Sequence, residues 1–364
     1  MTDEVLTFVE NGPNGAVGRI RLNRPKALHA LTLEMCEAII AVLLDWHDDA
    51  RVAAVMIDHA VAPDGDPKLS RGFCAGGDIV RIANSAISDC VEAERFFFTE
   101  YRMNHLLFTY EKPVVTFMDG IVMGGGVGLS LPARYRISSE RTLFAMPETG
   151  IGLFPDVGGG WFLPRLPGRT GEWLATTGSR IDGADALAIG IATHFISAEG
   201  LDALKGDILE HPVYLERILA DAAETPPPGA LGPQRAAIDR LFASDRYEDI
   251  LAALQADGSD WARRQFALLA GKSPQTVKVA LRQLREGAGF TDFADNMRNE
   301  YRIACHVIRR PDFAEGVRAV IIDKDNAPRW EPASPEAVSV ALIDSLFAPL
   351  PPDREWTPLP QPET

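Results

Sequence analysis

At 364 residues the chain has room for one large domain with an appendage, or for two domains. Its 46% hydrophobic and 24% charged content is ordinary for a soluble globular protein and promises a sizeable core. The net charge of −15, from 36 Lys+Arg against 51 Asp+Glu, argues against long nucleic-acid or anionic-membrane surfaces, which demand a basic face. A small anionic ligand held by a few local cations stays compatible with it. Cys36, Cys74, Cys90 and Cys305 are far apart with no C-x-x-C pair, and the seven histidines show no H-x-x-x-H spacing, so neither a zinc site nor a disulfide framework is expected. No signal-peptide pattern, Arg-rich presequence or transmembrane-length apolar run is apparent, and a soluble cytoplasmic protein with reduced thiols is the expectation.

In chain order, Val5–Val9 and Val17–Leu22 read as short strands around the turn residues Asn11–Gly15. Alternation in the second sets Arg19 and Arg21 on one face and Ile20 and Leu22 on the other, towards the core. Thr32 reads as an N-cap for a helix running through Trp46. A buried-strand run at 53–58, a polar loop at 62–68 and the segment Phe73-Cys-Ala-Gly-Gly-Asp78 follow, then a helix from about Cys90 to Tyr110. A strand at 113–118 leads to the glycine run 124–126 and its helix, and a strand near 135–139 precedes the segment around Glu148. Strand and helix alternate, which predicts an α/β fold with mostly parallel strands. Beyond about residue 200 the pattern is helical, at 201–209, 236–242, 247–255, 261–269, 274–286 and 290–308. Thr225-Pro-Pro-Pro-Gly229 reads as a stiff linker. The predicted division is a catalytic core at 1–200, a helical C-terminal region at 201–350 and a loosely ordered Pro-rich tail at 351–364.

Two glycine turns and two acids carry the candidate chemistry. Gly124–Gly126 stand where a strand turns into a helix, and Ala75-Gly76-Gly77 form a second such turn ahead of a helix-compatible stretch. A carbonyl under attack develops charge on its oxygen, and two fixed N–H donors can hold that charge. Glycine leaves the approach open, and a helix N-terminus adds partial positive charge. Either run alone is explained by tight turns and close packing; the pair, with Glu148 downstream, favours an oxyanion hole. Glu148 and Asp156 lie in a glycine-rich, apolar stretch, where unequal surroundings can divide base and acid duties between them. Glu148 after Pro147 also suits the first turn of a helix, and Asp156 also suits an Asx turn. Glu100 reads most simply as a residue of a solvated helix face.

These segments resemble the crotonase (enoyl-CoA hydratase/isomerase) superfamily over most of the chain, most closely its 3-hydroxyisobutyryl-CoA hydrolase branch. The likeness is carried by Leu22-Asn-Arg-Pro-Lys-Ala-Leu28, Phe73-Cys-Ala-Gly-Gly-Asp-Ile79, Met123-Gly-Gly-Gly-Val-Gly-Leu-Ser130, Phe144-Ala-Met-Pro-Glu-Thr149, Ile151-Gly-Leu-Phe-Pro-Asp-Val-Gly-Gly-Gly160 and Glu315-Gly-Val-Arg-Ala-Val-Ile-Ile-Asp-Lys-Asp325. The resemblance implies a spiral of β-β-α units with a helical C-terminal region. It implies an oxyanion hole from the N–H groups of Gly77 and Gly125, CoA contacts from Lys26, Ala75, Gly76 and Lys324, a catalytic Glu148, a second acid at Asp156, and Glu100 in the acyl pocket. Hydratases carry a second catalytic glutamate where this chain has Gly128, which favours the hydrolase branch. His29, where many members have Asn, reads as a packing or capping residue. The expected activity is hydrolysis of a short β-hydroxyacyl-CoA thioester, most simply 3-hydroxyisobutyryl-CoA in valine breakdown, with no metal and no cofactor beyond the CoA of the substrate. An enoyl-CoA hydratase or isomerase is the alternative within enzymes, and a non-catalytic acyl-CoA-binding protein on the same fold is the alternative outside them. The resemblance also implies a homo-oligomer, a trimer or a multiple of one.

Overall fold

The computed structural model describes residues 2–62, 65–66 and 69–360. Four residues of the polar loop at 62–68 (Pro63, Asp64, Pro67 and Lys68) and the last four of the Pro-rich tail lie outside the described residues. By its internal contacts the chain divides into two units. The first comprises Met1–Gly77, Arg102–Phe144 and Ile181–Gly232; the second comprises Asp78–Tyr101, Ala145–Arg180 and Pro233–Thr364.

The first unit holds every named strand. Val5–Gly12 (β1) and Gly15–Leu22 (β2) form an antiparallel hairpin, and Val52–His59 (β3) pairs parallel with β2. Then come Gly72–Cys74 (β4), Val114–Met118 (β5), Ile121–Val122 (β6), Tyr135–Ser138 (β7), Leu143–Phe144 (β8), Ile181–Asp182 (β9) and His194–Phe195 (β10). They form a six-stranded sheet ordered β1-β2-β3-β5-β7-β10 and a four-stranded sheet ordered β4-β6-β8-β9. The consecutive pairs β3/β4, β5/β6 and β7/β8 each place one strand in either sheet, in the same order, and helices follow β4 and β6. This is the repeating β-β-α spiral that the resemblance implies. The strands facing one side of the large sheet alternate Val17, Ala54, Met56, Val115, Phe117 and Ile137 into a core closed by Leu201, Leu204 and Ile208 of one helix and Leu215 and Leu219 of the next. Strand period and helix period thus meet on one apolar face.

On β2 the expected split holds: Ile20 and Leu22 are buried, and Arg19 and Arg21 share the other face. Both arginines meet Asp58 of β3, which is wholly buried. Arg19 Nη2 donates to its Oδ2 at 2.6 Å, Arg21 Nε to its Oδ1 at 3.1 Å, and Lys205 Nζ stands 3.7 Å away.

The second unit is helical. Its helices include Asp260–Ala270, Pro274–Gly287, Phe293–Val307 and Pro311–Val317. Ser259, Ser273 and Asp292 cap the first three, each side chain accepting a backbone N–H of the first turn. Within the Pro-rich C-terminal stretch, Trp356 is wholly buried and its Nε1 donates to Phe98 O at 3.1 Å.

Candidate active site

In the first unit the two glycine turns lie side by side. Met123 N donates to Cys74 O at 3.0 Å, and a Cβ on Gly76 would stand 3.9 Å from Gly124 Cα. The helix Gly125–Ser130 begins directly after, so the Gly125 amide belongs to its first turn, where no carbonyl of the helix can accept it. The approach is so close that a Cβ on Gly126 would fall 2.3 Å from Cys74 O, which no side chain could occupy. Gly77 pairs with Leu31 in an isolated parallel bridge, Leu31 N donating to Gly76 O at 2.8 Å. Turns at 75–77 and 124–126 are therefore brought together, as an oxyanion hole requires. The strand entering the second turn is β6, a two-residue element beyond β5, the strand that the sequence predicts at 113–118.

In the same unit Gly128 is buried, and its carbonyl accepts Asn104 Nδ2 at 3.0 Å. His29 is wholly buried with φ +57°, and its Nδ1 accepts the Arg24 N–H at 3.0 Å, the packing and capping role expected of it. Burial pushes the His29 imidazole down to about 4, so it is neutral at physiological pH. Ala75 N donates to Leu28 O at 3.0 Å, and Gly76 is buried. Lys26 is exposed, as is Lys324 of the second unit, which has φ +59°.

The acids gather in the second unit. Glu148 opens a 3-10 turn, Glu148–Ile151, directly after Pro147, and is 4% exposed. Lys272 senses its charge: burial pulls the Lys272 ammonium below the ordinary lysine range, while Glu148 draws it the other way. The Lys272 Nζ lies 3.1 Å from where a Gly150 Cβ would be and 3.2 Å from a Gly178 Cβ, so two small residues make room for it. Asp156 is also 4% exposed, and Tyr101 Oη–H donates to its Oδ2 at 2.8 Å. Burial pushes the Asp156 carboxyl up to about 7 against the pull of that hydroxyl. Glu100, next to Tyr101 on the helix Val91–Phe108, is 2% exposed rather than solvated. Burial, then the Asp156 charge, pushes its carboxyl well up, and its Oε1 has no hydrogen-bond partner among the described residues. The sequence reading did not single out Tyr101, Lys272 or Glu300, which accepts backbone N–H groups of Gly158 and Gly160. Tyr101 stood one residue from a named acid; Lys272 and Glu300 carry no local signal.

The first unit thus holds adjacent glycine-turn amides, and the second holds the buried acids Glu100, Glu148 and Asp156. Residues 17–347 match the model of the family described as enoyl-CoA hydratase/isomerase. The chain belongs to the enoyl-CoA hydratase/isomerase family. Among relatives in this family, a Danio rerio protein named "3-hydroxyisobutyryl-CoA hydrolase, mitochondrial" is 43% identical over 348 residues, covering 92% of this chain and 88% of the relative. Among solved structures, a carnitinyl-CoA dehydratase from Mycobacterium thermoresistibile superposes with a TM-score of 0.90 at 39% identity, covering 98% of this chain and 99% of that one. An enoyl-CoA hydratase from Rhodobacter sphaeroides gives a TM-score of 0.87 at 37% identity, covering 98% and 100%. The family and its crotonase fold are thus shared by proteins named for hydrolysis and by proteins named for hydration or dehydration.

Proposed function

We propose that this chain is an acyl-CoA thioester hydrolase that converts 3-hydroxyisobutyryl-CoA and water into 3-hydroxyisobutyrate and CoA, a step of valine breakdown. The observation that carries this reading is likeness along 92% of the chain to relatives that bear that name. The N–H groups of Gly77 and Gly125 take the carbonyl oxygen as it gains charge. Glu148 acts in one of two ways. Its carboxylate attacks the carbonyl carbon and expels CoA thiolate, leaving a mixed anhydride that water opens; or it takes a proton from water, whose oxygen attacks. Either way the thiolate leaves protonated as CoA-SH. Asp156 binds the substrate hydroxyl or positions Glu148 and water. The Oε1 of Glu100, buried without a partner among the described residues, suits a donor from the acyl group. Lys26 and Lys324, exposed cations, suit the phosphates of CoA, with Ala75 and Gly76 at the adenine end. The four cysteines are buried and form no disulfide. Reduced thiols fit the cytoplasm that composition suggests, while the name of the Danio rerio relative carries the word mitochondrial.

The second reading, addition of water to an enoyl-CoA, is favoured by the names of the two solved structures. It needs a second carboxylate on the helix Gly125–Ser130, where this chain has Gly128. The test is thiol release from purified protein on 3-hydroxyisobutyryl-, 3-hydroxypropionyl- and crotonyl-CoA, with loss of the crotonyl double bond followed in parallel. Release of CoA from the hydroxyacyl esters is expected. Fast hydration of crotonyl-CoA without any thiol release would replace the first reading with the second.

A further inference from the structure

Glu300 lies on the helix Phe293–Val307 and is wholly buried. Its Oε2 accepts the Gly158 N–H at 2.8 Å, and its Oε1 accepts the Gly160 N–H at 2.9 Å. Asn296 Nδ2 and Gln283 Nε2 reach the same Oε1 at 3.0 and 3.1 Å. Gln283 Nε2 also donates to Pro155 O at 2.8 Å. The chain is thus tied one residue before Asp156 and again two and four residues after it, all through one buried carboxylate and the amide beside it. The glycines of Pro155-Asp-Val-Gly-Gly-Gly160 have a use here. A Cβ on Gly160 would stand 2.7 Å from Asn296 Oδ1 and 2.9 Å from Gln283 Nε2, so a larger residue there would push aside the two amides that bond Glu300.

Burying a carboxyl is costly unless its oxygens are bonded, and an apolar side chain of similar volume would fill the same space at lower cost. An apolar residue, however, cannot fix the direction of two N–H groups. Such a network trades stability for one defined arrangement. The loop held in this way carries Asp156, whose Oδ2 accepts the Tyr101 hydroxyl at 2.8 Å.

We infer that Glu300 is a positioning residue: it clamps the 155–160 loop so that the Asp156 carboxyl keeps a single orientation during turnover. This rests on the role proposed for Asp156. The experiment compares Asp156→Asn, Glu300→Gln and the double variant on 3-hydroxyisobutyryl-CoA, with thermal melting to establish that each is folded. In Glu300→Gln one acceptor oxygen becomes an N–H donor that faces donors, so the clamp is half undone with little change of shape. The expected result is a fall in kcat of at least about tenfold with KM changed less than about threefold, and a double variant no slower than Asp156→Asn within about threefold. A role confined to general stability would leave kcat of the folded variant intact, or would let the two losses multiply; either result overturns the inference while the reading of Asp156 stands. Wild-type turnover in Asp156→Asn removes the role of Asp156 and the inference with it. Should Glu300→Gln fail to fold, Gln283→Met, which releases Pro155 O and removes one of the donors to Glu300 Oε1, is expected to lower kcat severalfold at unchanged KM, and wild-type kcat there overturns the clamp.

Discussion

Asp156 shows how position sets the chemistry of a side chain. Burial pushes its carboxyl up to about 7, and the same burial, with Asp156 itself, pushes Glu100 well above the ordinary range. The native state therefore keeps a proton on Asp156 between about pH 4 and 7 that the unfolded chain, with an ordinary carboxyl near 4, has released. Stability falls across that window as pH rises, since the folded form binds the extra proton, and the penalty is complete above pH 7. Asp156→Asn removes it, so the gain in melting temperature over wild type is expected to grow from pH 5 to pH 8; a constant difference across that range would show that Asp156 ionises normally. At Glu148 the expectation concerns rate. Glu148→Gln keeps the shape but has no carboxylate, and kcat for thiol release should drop by about 10² or more, the scale of a lost general base, with CoA-ester binding retained. Wild-type-like kcat would remove Glu148 from the mechanism.

At the scale of elements, local rules worked where a pattern was long enough to repeat. Helices expected at 247–255, 261–269 and 274–286 appear as Tyr247–Asp257, Asp260–Ala270 and Pro274–Gly287. Thr32 caps the helix Leu33–Asp48 as read, its Oγ1 accepting the Met35 N–H at 3.2 Å. Thr32→Ala should cost about 1 kcal/mol, seen as a lower midpoint in urea with an unchanged slope. The second strand of each β-β-α unit escaped notice. β4 has three residues and β6 and β8 have two, too few for alternation to show. The helix Val91–Phe108 was visible in the sequence, but the burial of Glu100 on it was not, because a lone glutamate in an amphipathic helix looks solvated until its neighbours are known.

At the scale of the whole molecule, the first unit is joined through Asp58. This carboxylate on β3 is met by Arg19 and Arg21 of β2 and by Lys205 of the helix Leu201–Glu210, so residues nearly 190 positions apart share one charge. Burial pushes the Asp58 carboxyl up, while the cations pull it back. Asp58→Ala leaves buried or half-buried cations uncompensated, and a loss of about 3–5 kcal/mol is expected in denaturant unfolding. A loss below 1 kcal/mol would mean that solvent replaces the carboxylate freely.

The glycine turns at 75–77 and 124–126 and the acids Glu148 and Asp156 were legible from the sequence alone, because exposing a main-chain amide requires residues without side chains at consecutive positions, and that requirement is local. The family and the helical character of the C-terminal half were legible for the same reason: motifs and periods lie within a few residues of one another. Only the tertiary structure decided that β4 and β6 set the two glycine turns against each other, that Glu100 is buried, and that Glu300, 142 residues beyond Gly158, grips the loop that carries Asp156. Burial and hydrogen-bond partners are properties of the folded neighbourhood, and a single glutamate in a helical stretch holds no record of which distant amides it will meet.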